Sequence, residues 1–213
     1  MLQFVVQFVD GLKSRWRNLY YRALGVKLHG YVWLRQIEIP RNFAEIEIER
    51  HCAIDRGVTL LCSGASESDL KIHPKTYPKI HIPKIHIPKI YIGAHTYINR
   101  HTFLDATLSL RIGQHCAIGP GCYLTDHDHG QSMGLPPLAQ PMVAVPTQLG
   151  DRVWLGANVV VLKGVTIGND VIVGAGSVVT KDLPAGAIAV GNPARVIKYR
   201  TDGAIAPAPL AAS

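Results

Sequence analysis

The segment Thr125-Asp126-His127-Asp128-His129-Gly130 interleaves two imidazoles with two carboxylates. Imidazole exchanges a proton near neutral pH, and a neighbouring carboxylate can orient it and favour its charged form. The segment therefore suits proton transfer from a weakly acidic group such as a hydroxyl. Asp126, Asp128 and His129 can orient the base or hold an acceptor; a solvated polar turn is the plainer alternative. Metal or disulfide chemistry would fall to His51, His95, His101 and His115 or to Cys52, Cys62, Cys116 and Cys122, none of which forms a C-x-x-C pair.

The elements that must position these residues are set by a period of six. Aliphatic residues recur at Ile48, Ile54, Leu60; at Ile92, Ile98, Leu104; at Ile112, Ile118, Leu124; and without a break at Leu149, Leu155, Val161, Ile167, Val173 and Val179. Four residues after these come Cys52, Val58, Thr96, Thr102, Cys116, Cys122, Val153, Val159, Val165, Val171 and Ser177, all small or β-branched. They lie two residues before the next aliphatic, so strand alternation turns both positions inward. Three residues after the aliphatics stand His51, Gly57, His95, His101, His115, Gly121, Asn158, Gly164, Asp170, Gly176 and Asp182, with Arg152 an exception. Gly, Asn, Asp and His are the residues that enter the left-handed region, which marks this position as a corner.

Strand, corner, strand describes a prism whose coils of about 18 residues stack at roughly the 4.8 Å strand spacing. On this reading the four histidines are corner residues, and Cys52, Cys116 and Cys122 are core residues rather than ligands or disulfides. His127, three residues after Leu124, also falls at a corner position, but one that opens directly into a long loop.

Two segments break the period. Residues 78–92 run Pro-Lys-Ile-His-Ile, Pro-Lys-Ile-His-Ile, Pro-Lys-Ile-Tyr-Ile, a period of five that cannot continue the prism in register. The expectation is a protruding insert over 65–91, in which His73, His81 and His86 belong to a duplicated loop rather than a metal site. Residues 125–148 are a second insert, where Pro136, Pro137, Pro141 and Pro146 oppose regular strand pairing. A long loop on a rigid scaffold is where a site is expected.

Ahead of the prism, Leu12, Trp16, Leu19, Tyr20, Ala23 and Leu24 share one helical face, with Lys13, Arg15, Arg17 and Arg22 elsewhere and Gly25 as a cap. This short amphipathic helix would pack on the end of the prism or lie on an anionic membrane surface. The expected organisation is a helical segment over 1–30, a β-helix over 31–200 and a disordered, Ala- and Pro-rich tail over 201–213.

The composition agrees: 47% hydrophobic but 7% aromatic, with 20 Gly and 14 Pro, which suits short strands and tight corners. The net charge of +7 is scattered, which favours anionic small ligands or a membrane surface over nucleic acid. The apolar patch Phe4 to Val9 is followed rather than preceded by basic residues, and no apolar run reaches the roughly 20 residues of a membrane span. The expectation is a cytoplasmic protein, with peripheral contact at the inner membrane face as an extension of it.

Val153-Trp154-Leu155-Gly156-Ala157, Gly174-Ala175-Gly176-Ser177-Val178-Val179-Thr180-Lys181-Asp182 and Gly191-Asn192-Pro193-Ala194-Arg195-Val196-Ile197, together with Tyr97-Ile98-Asn99 and the histidine loop, carry a resemblance. In these the chain resembles the hexapeptide-repeat acyltransferases, notably the polysaccharide, galactoside and maltose O-acetyltransferases. The resemblance implies an all-β, left-handed parallel β-helix, although parallel crossovers are otherwise right-handed. It also implies acetyl-CoA as co-substrate with no metal, a homotrimer, and a sugar acceptor in surface polysaccharide or lipopolysaccharide biosynthesis.

By position His127 would be the general base, and Asn99 and Asp105 would touch acceptor hydroxyls. Trp154, Gly156, Ala157 and Ala175 would line the pantetheine groove, while Thr180, Lys181, Arg195 and Lys198 would meet the phosphates. Other acceptors (maltose or galactoside, an antibiotic, an amino acid) and a non-catalytic β-helix are the alternatives. The spacing of His101, His127 and His129 does not match the metal site of a γ-type carbonic anhydrase.

Overall fold

The structure is a computed structural model and describes residues 2–63 and 88–201; side chains are described from residue 8 onward. The period of six folds as a left-handed parallel β-helix of three faces. The first face stacks six strands, from Lys27–His29 through Ile46–Glu49, Ile90–Ile92, Leu110–Ile112 and Thr147–Leu149 to Thr166–Ile167. The second begins at Trp33–Leu34 and runs to Ala187–Val190, where Arg195–Tyr199 closes it with an antiparallel strand. The third stacks Thr59–Cys62, Phe103–Ala106, Tyr123–Thr125, Val160–Val161 and Val178–Val179.

Every aliphatic position named above is buried at 1% exposure or less, and every small position at 2% or less. The small residues also bind the backbone of the next coil. Thr96 and Thr102 hydroxyls donate to the carbonyls of Gly113 and Gly119, and the thiols of Cys52, Cys116 and Cys122 donate to those of Gly93, Gly150 and Gly156. All four cysteines are free and buried. Burial raises the Cys52 thiol to about 11 and the Cys62 thiol to about 12, so neither is an accessible thiolate at neutral pH.

The corners fall where the sequence puts them. His51, His95, His101, His115, Asn158 and Asp170 all have positive φ, as do Gly57, Gly121, Gly164 and Gly176. Arg152 is no exception, with φ 57°, and it forks onto the carboxylate of Asp170, the corner residue of the next coil. His51, His95 and His115 stack with ring centroids 4.9 and 4.8 Å apart, the spacing of the coils. Asp182 and His127 do not adopt this conformation.

Several boundaries differ from the expectation. The helix starts at Leu2 and ends at Ala23, longer than the apolar periodicity indicated. Gly25, at φ +107°, stops it, with Val26 N–H reaching Tyr21 O and Gly25 N–H reaching Arg22 O. The first prism strand, Lys27–His29, already lies inside the segment assigned to the helix, because its partner Glu47-Ile48-Glu49 offers a parallel edge. At the far side of the first insert the prism resumes at Ile90, paired with Ile46. Residues 64–87, which include His73, His81 and His86, and positions 202–213 lie outside the described residues. In the second insert His127–His129 and Met142–Ala144 form an antiparallel pair, since Pro141 and Pro146 flank the second strand without entering it.

The helix does pack on the end of the prism, but with the opposite face to the one periodicity suggests. Ser14, Asn18 and Tyr21 are buried against the first coil, while Phe8, Leu12, Trp16, Leu19 and Tyr20 stay exposed. The free edge of the second face explains the choice. Asn18 accepts from Val32 N–H and donates to Val32 O, Ser14 Oγ accepts from Leu34 N–H, and Tyr21 OH donates to Ile37 O. Polar side chains thus satisfy backbone groups that no neighbouring strand would reach.

Candidate active site

The corner from the third face to the first is crossed by residues 107–109 in one coil and by the loop 126–146 in the next. Leu124 is the last inward residue before that loop. Asp126 follows at the corner with its side chain wholly buried, accepting the backbone N–H groups of Thr107, Leu108 and Ser109 at 2.8, 2.7 and 2.5 Å. The short turn of one coil therefore anchors the start of the long loop in the next. Val145 N–H donates to Asp126 O and Thr147 Oγ1 to Thr125 O, which closes the far end.

His127 takes its orientation from this anchor. Nδ1 lies 2.9 Å from Asp126 Oδ1 and 3.3 Å from Thr125 Oγ1, so Nδ1 carries the proton and Nε2 is left as acceptor. Nε2 faces Asp105 Oδ2 at 3.8 Å. Burial by itself lowers the imidazole pKa, but the hydrogen bond to Asp126 and the charges of Asp105, Asp126 and Asp128 outweigh it, and the net direction is up. Asp105 is held by Ser63 Oγ at 2.9 Å and Tyr123 OH at 3.4 Å. A buried imidazole with one nitrogen fixed and the other facing a carboxylate can take a proton from a hydroxyl placed between them.

The remaining expected residues divide. Asp126 serves the backbone and His127 and has no exposed surface for an acceptor, which corrects its assignment to acceptor binding. Asp128 forms an ion pair with Lys163, and His129 is exposed. Asn99 occupies the same repeat position as Asp105 one hexad earlier, so the width of the third face separates it from His127; within this chain the two are not brought together. Trp154, Gly156, Ala157 and Ala175 cluster at the corner between the second and third faces, with Arg195 and Lys198 exposed on the closing strand of the second face. Thr180 and Lys181 instead follow Val178–Val179 at the His127 corner, so the expected phosphate contacts do not share one groove of a single chain.

Lys163, Ser63 and Tyr123 are contacts that sequence reasoning missed. The repeat register could have indicated Lys163: Leu124 pairs with Val161, and two residues on, Lys163 stands over Asp126. A groove of about 540 Å³ lies elsewhere, by Glu49, Gln114 and Asp151 between the first and second faces. Close to it, His29, Glu47 and Glu49 bring ligand-type atoms within 4.8 Å of one another at the surface.

Comparisons with known proteins bear on this arrangement. The bacterial transferase hexapeptide model (six repeats) matches residues 146–181. The Escherichia coli protein WbbJ, assigned to O-acetyl transfer in lipopolysaccharide biosynthesis, is 37% identical over 109 residues, 47% of this chain and 56% of its own. A hexapeptide-repeat acetyltransferase of Vibrio cholerae, solved with acetyl coenzyme A, is 35% identical and superposes with a TM-score of 0.50 over 55% of this chain and 63% of its own. AntD, an N-acyltransferase of Bacillus cereus solved with dTDP and 3-hydroxybutyryl-CoA, covers 86% of this chain and 88% of its own with a TM-score of 0.67, but at 20% identity this likeness is one of fold. The chain spans about half or less of the length of the curated relatives it matches, from 56% down to 28%.

Proposed function

We propose, from the premise that this chain belongs to the hexapeptide-repeat superfamily of left-handed β-helix acyltransferases, that it is an O-acetyltransferase moving an acetyl group from acetyl-CoA to a sugar hydroxyl in surface polysaccharide or lipopolysaccharide biosynthesis. The observation that carries the reading is His127, with Nδ1 bound to buried Asp126 and Nε2 facing Asp105. A sugar hydroxyl is a poor nucleophile at neutral pH. With its oxygen beside Nε2 and Asp105 accepting a neighbouring hydroxyl, the acceptor gives its proton to His127 as the new C–O bond forms at the thioester carbonyl. The C–S bond then breaks, and His127 returns the proton to the departing sulfur. No covalent enzyme intermediate is formed, and His127 ends as it began. Asp126 holds the tautomer that leaves Nε2 free, and its negative charge supports the imidazolium in between.

A homotrimer is part of the proposal. His127 lies at one corner of the prism and Trp154, Gly156, Ala157 and Ala175 at another. A three-fold assembly would set the second corner of one copy against the third face of the next, supplying the missing wall and grouping Lys181 with residues from a neighbour. Use of acetyl-CoA puts the reaction on the cytoplasmic side of the inner membrane. The similarity to WbbJ supports the polysaccharide setting, and that to the Escherichia coli galactoside O-acetyltransferase, 36% identical over 111 residues, supports a free-sugar acceptor as the second reading.

The test is acetyl-CoA consumption with a panel of sugar and amino-sugar acceptors, products identified by mass spectrometry, for the natural chain and His127→Ala. Ester formation that is lost in the variant is the expected result. Undiminished transfer by His127→Ala would remove His127 from the role of base, and transfer only to nitrogen would replace the O-acetyl reading.

A further inference from the structure

The N-terminal helix has committed its polar face and left its apolar face bare. Ser14, Asn18 and Tyr21 are tied to the backbone of residues 32–37, so the helix cannot roll its apolar side inward without abandoning those bonds. On the opposite side, Phe8 is 61% exposed, Trp16 72%, Leu19 59% and Tyr20 60%, with Val9 and Leu12 beside them. At 100° per residue these six fall within one arc directly across the helix from the buried residues. Basic residues border the arc on both sides, Arg15 and Arg22 on one and Lys13 and Arg17 on the other, against the single acid Asp10.

An apolar stripe bordered on both sides by cations and anchored along its back is the geometry of a helix lying in the plane of an anionic lipid interface. We propose that this face docks the protein on an anionic membrane surface. Trp16 and Tyr20 suit the headgroup boundary, and the exposed Lys13 and Arg15, one on each border, meet the phosphates, while Arg17 and Arg22 reach back to the carbonyls of Leu34, Leu28 and Gly30. The cation border favours lipid over a second copy of this chain, which would bring like charges together. No helix among the described residues is long and apolar enough to cross a membrane, so the mode is in-plane. Docking in this way places the helix between the bilayer and the first coil. His127, three coils further on, then stands roughly 15 Å above that coil at the usual strand spacing. The inference does not depend on the acetyl-transfer reading.

The experiment is co-sedimentation of the full-length chain with vesicles of phosphatidylcholine alone or mixed with phosphatidylglycerol, alongside light scattering and thermal unfolding. Binding to the anionic vesicles that weakens with salt is expected, with little to the neutral ones. Leu12→Glu/Trp16→Glu should weaken it by about tenfold or more with unfolding unchanged, and Lys13→Glu/Arg15→Glu should weaken it on anionic vesicles only. Phe8→Ser/Leu19→Ser repeats the apolar arm with milder changes. Failure of the natural chain to bind, or equal binding by the apolar variants, overturns the proposal. A change of oligomeric mass in those variants would instead assign the face to a second copy.

Discussion

The carboxylate of Asp126 binds Nδ1 of His127 at 2.9 Å from a position with no solvent exposure, while accepting three backbone N–H groups from the preceding coil. The group that orients the imidazole is therefore also the group that fastens the loop. Asp126→Ala should lower stability by about 3 kcal/mol or more, because buried donors lose their acceptor, and chemical unfolding of the variant measures it.

Asp126→Asn separates the two duties. An amide oxygen turned to Leu108 and Ser109 leaves the NH2 facing His127 Nδ1, which forces the proton onto Nε2 and removes the base. A fall in kcat on the order of 10²- to 10⁴-fold is expected, with a smaller loss of stability than in the alanine variant. Equal kcat in Asp126→Asn and the natural chain would show that the tautomer does not matter.

The raised pKa of His127 gives a pH dependence of definite sign. The base acts when neutral, so kcat/KM should rise with pH through a midpoint above the ordinary value of 6.5. Asp105→Asn removes one of the charges that hold the proton, and the midpoint should move to lower pH. For stability, a raised folded-state pKa means that protonated His127 contributes fully below its ordinary pKa, and the contribution disappears as pH rises through the folded value. Thermal unfolding across that window should show a smaller pH effect in Asp105→Asn.

A side chain at Gly156 would place its Cβ 2.6 Å from Ala175 N, a backbone atom of the next coil. Since neither coil can retreat without opening the stack, Gly156→Ala should cost about 1–3 kcal/mol, read as a lower midpoint in denaturant.

His115 sits at φ 57°, a conformation that costs an L-residue on the order of 1 kcal/mol and a β-branched one more. His115→Gly should hold or raise Tm and His115→Val should lower it, with metal content of the purified protein unchanged in both. A drop in bound metal in His115→Gly would return the stacked histidines to the status of ligands.

The inward columns and the corners could be read from sequence because a solenoid turns tertiary position into local period. The environment of Ile98 is that of Ile54 and Ile118, repeated one coil away. The Asp126 network was not legible in this way, since its donors come from Thr107 to Ser109, where the period gives no reason to look for an anion site. The face by which the helix packs was not legible for a different reason. Periodicity shows that Leu12, Trp16 and Leu19 share a face, not that the face turns inward; the unpaired backbone of Val32 and Leu34 decided that by selecting Ser14 and Asn18.

Both interruptions of the period fall at the same corner, between Cys62 and Ile90 and between Thr125 and Thr147. Ile46 still pairs with Ile90 and Leu110 with Thr147, as though the intervening chain had no length. Duplication or loss of five residues there, which would scramble every later face if it occurred within a strand, leaves the register of the core untouched. This corner is a splice point at which evolution can rebuild the surroundings of His127 while the scaffold stays fixed.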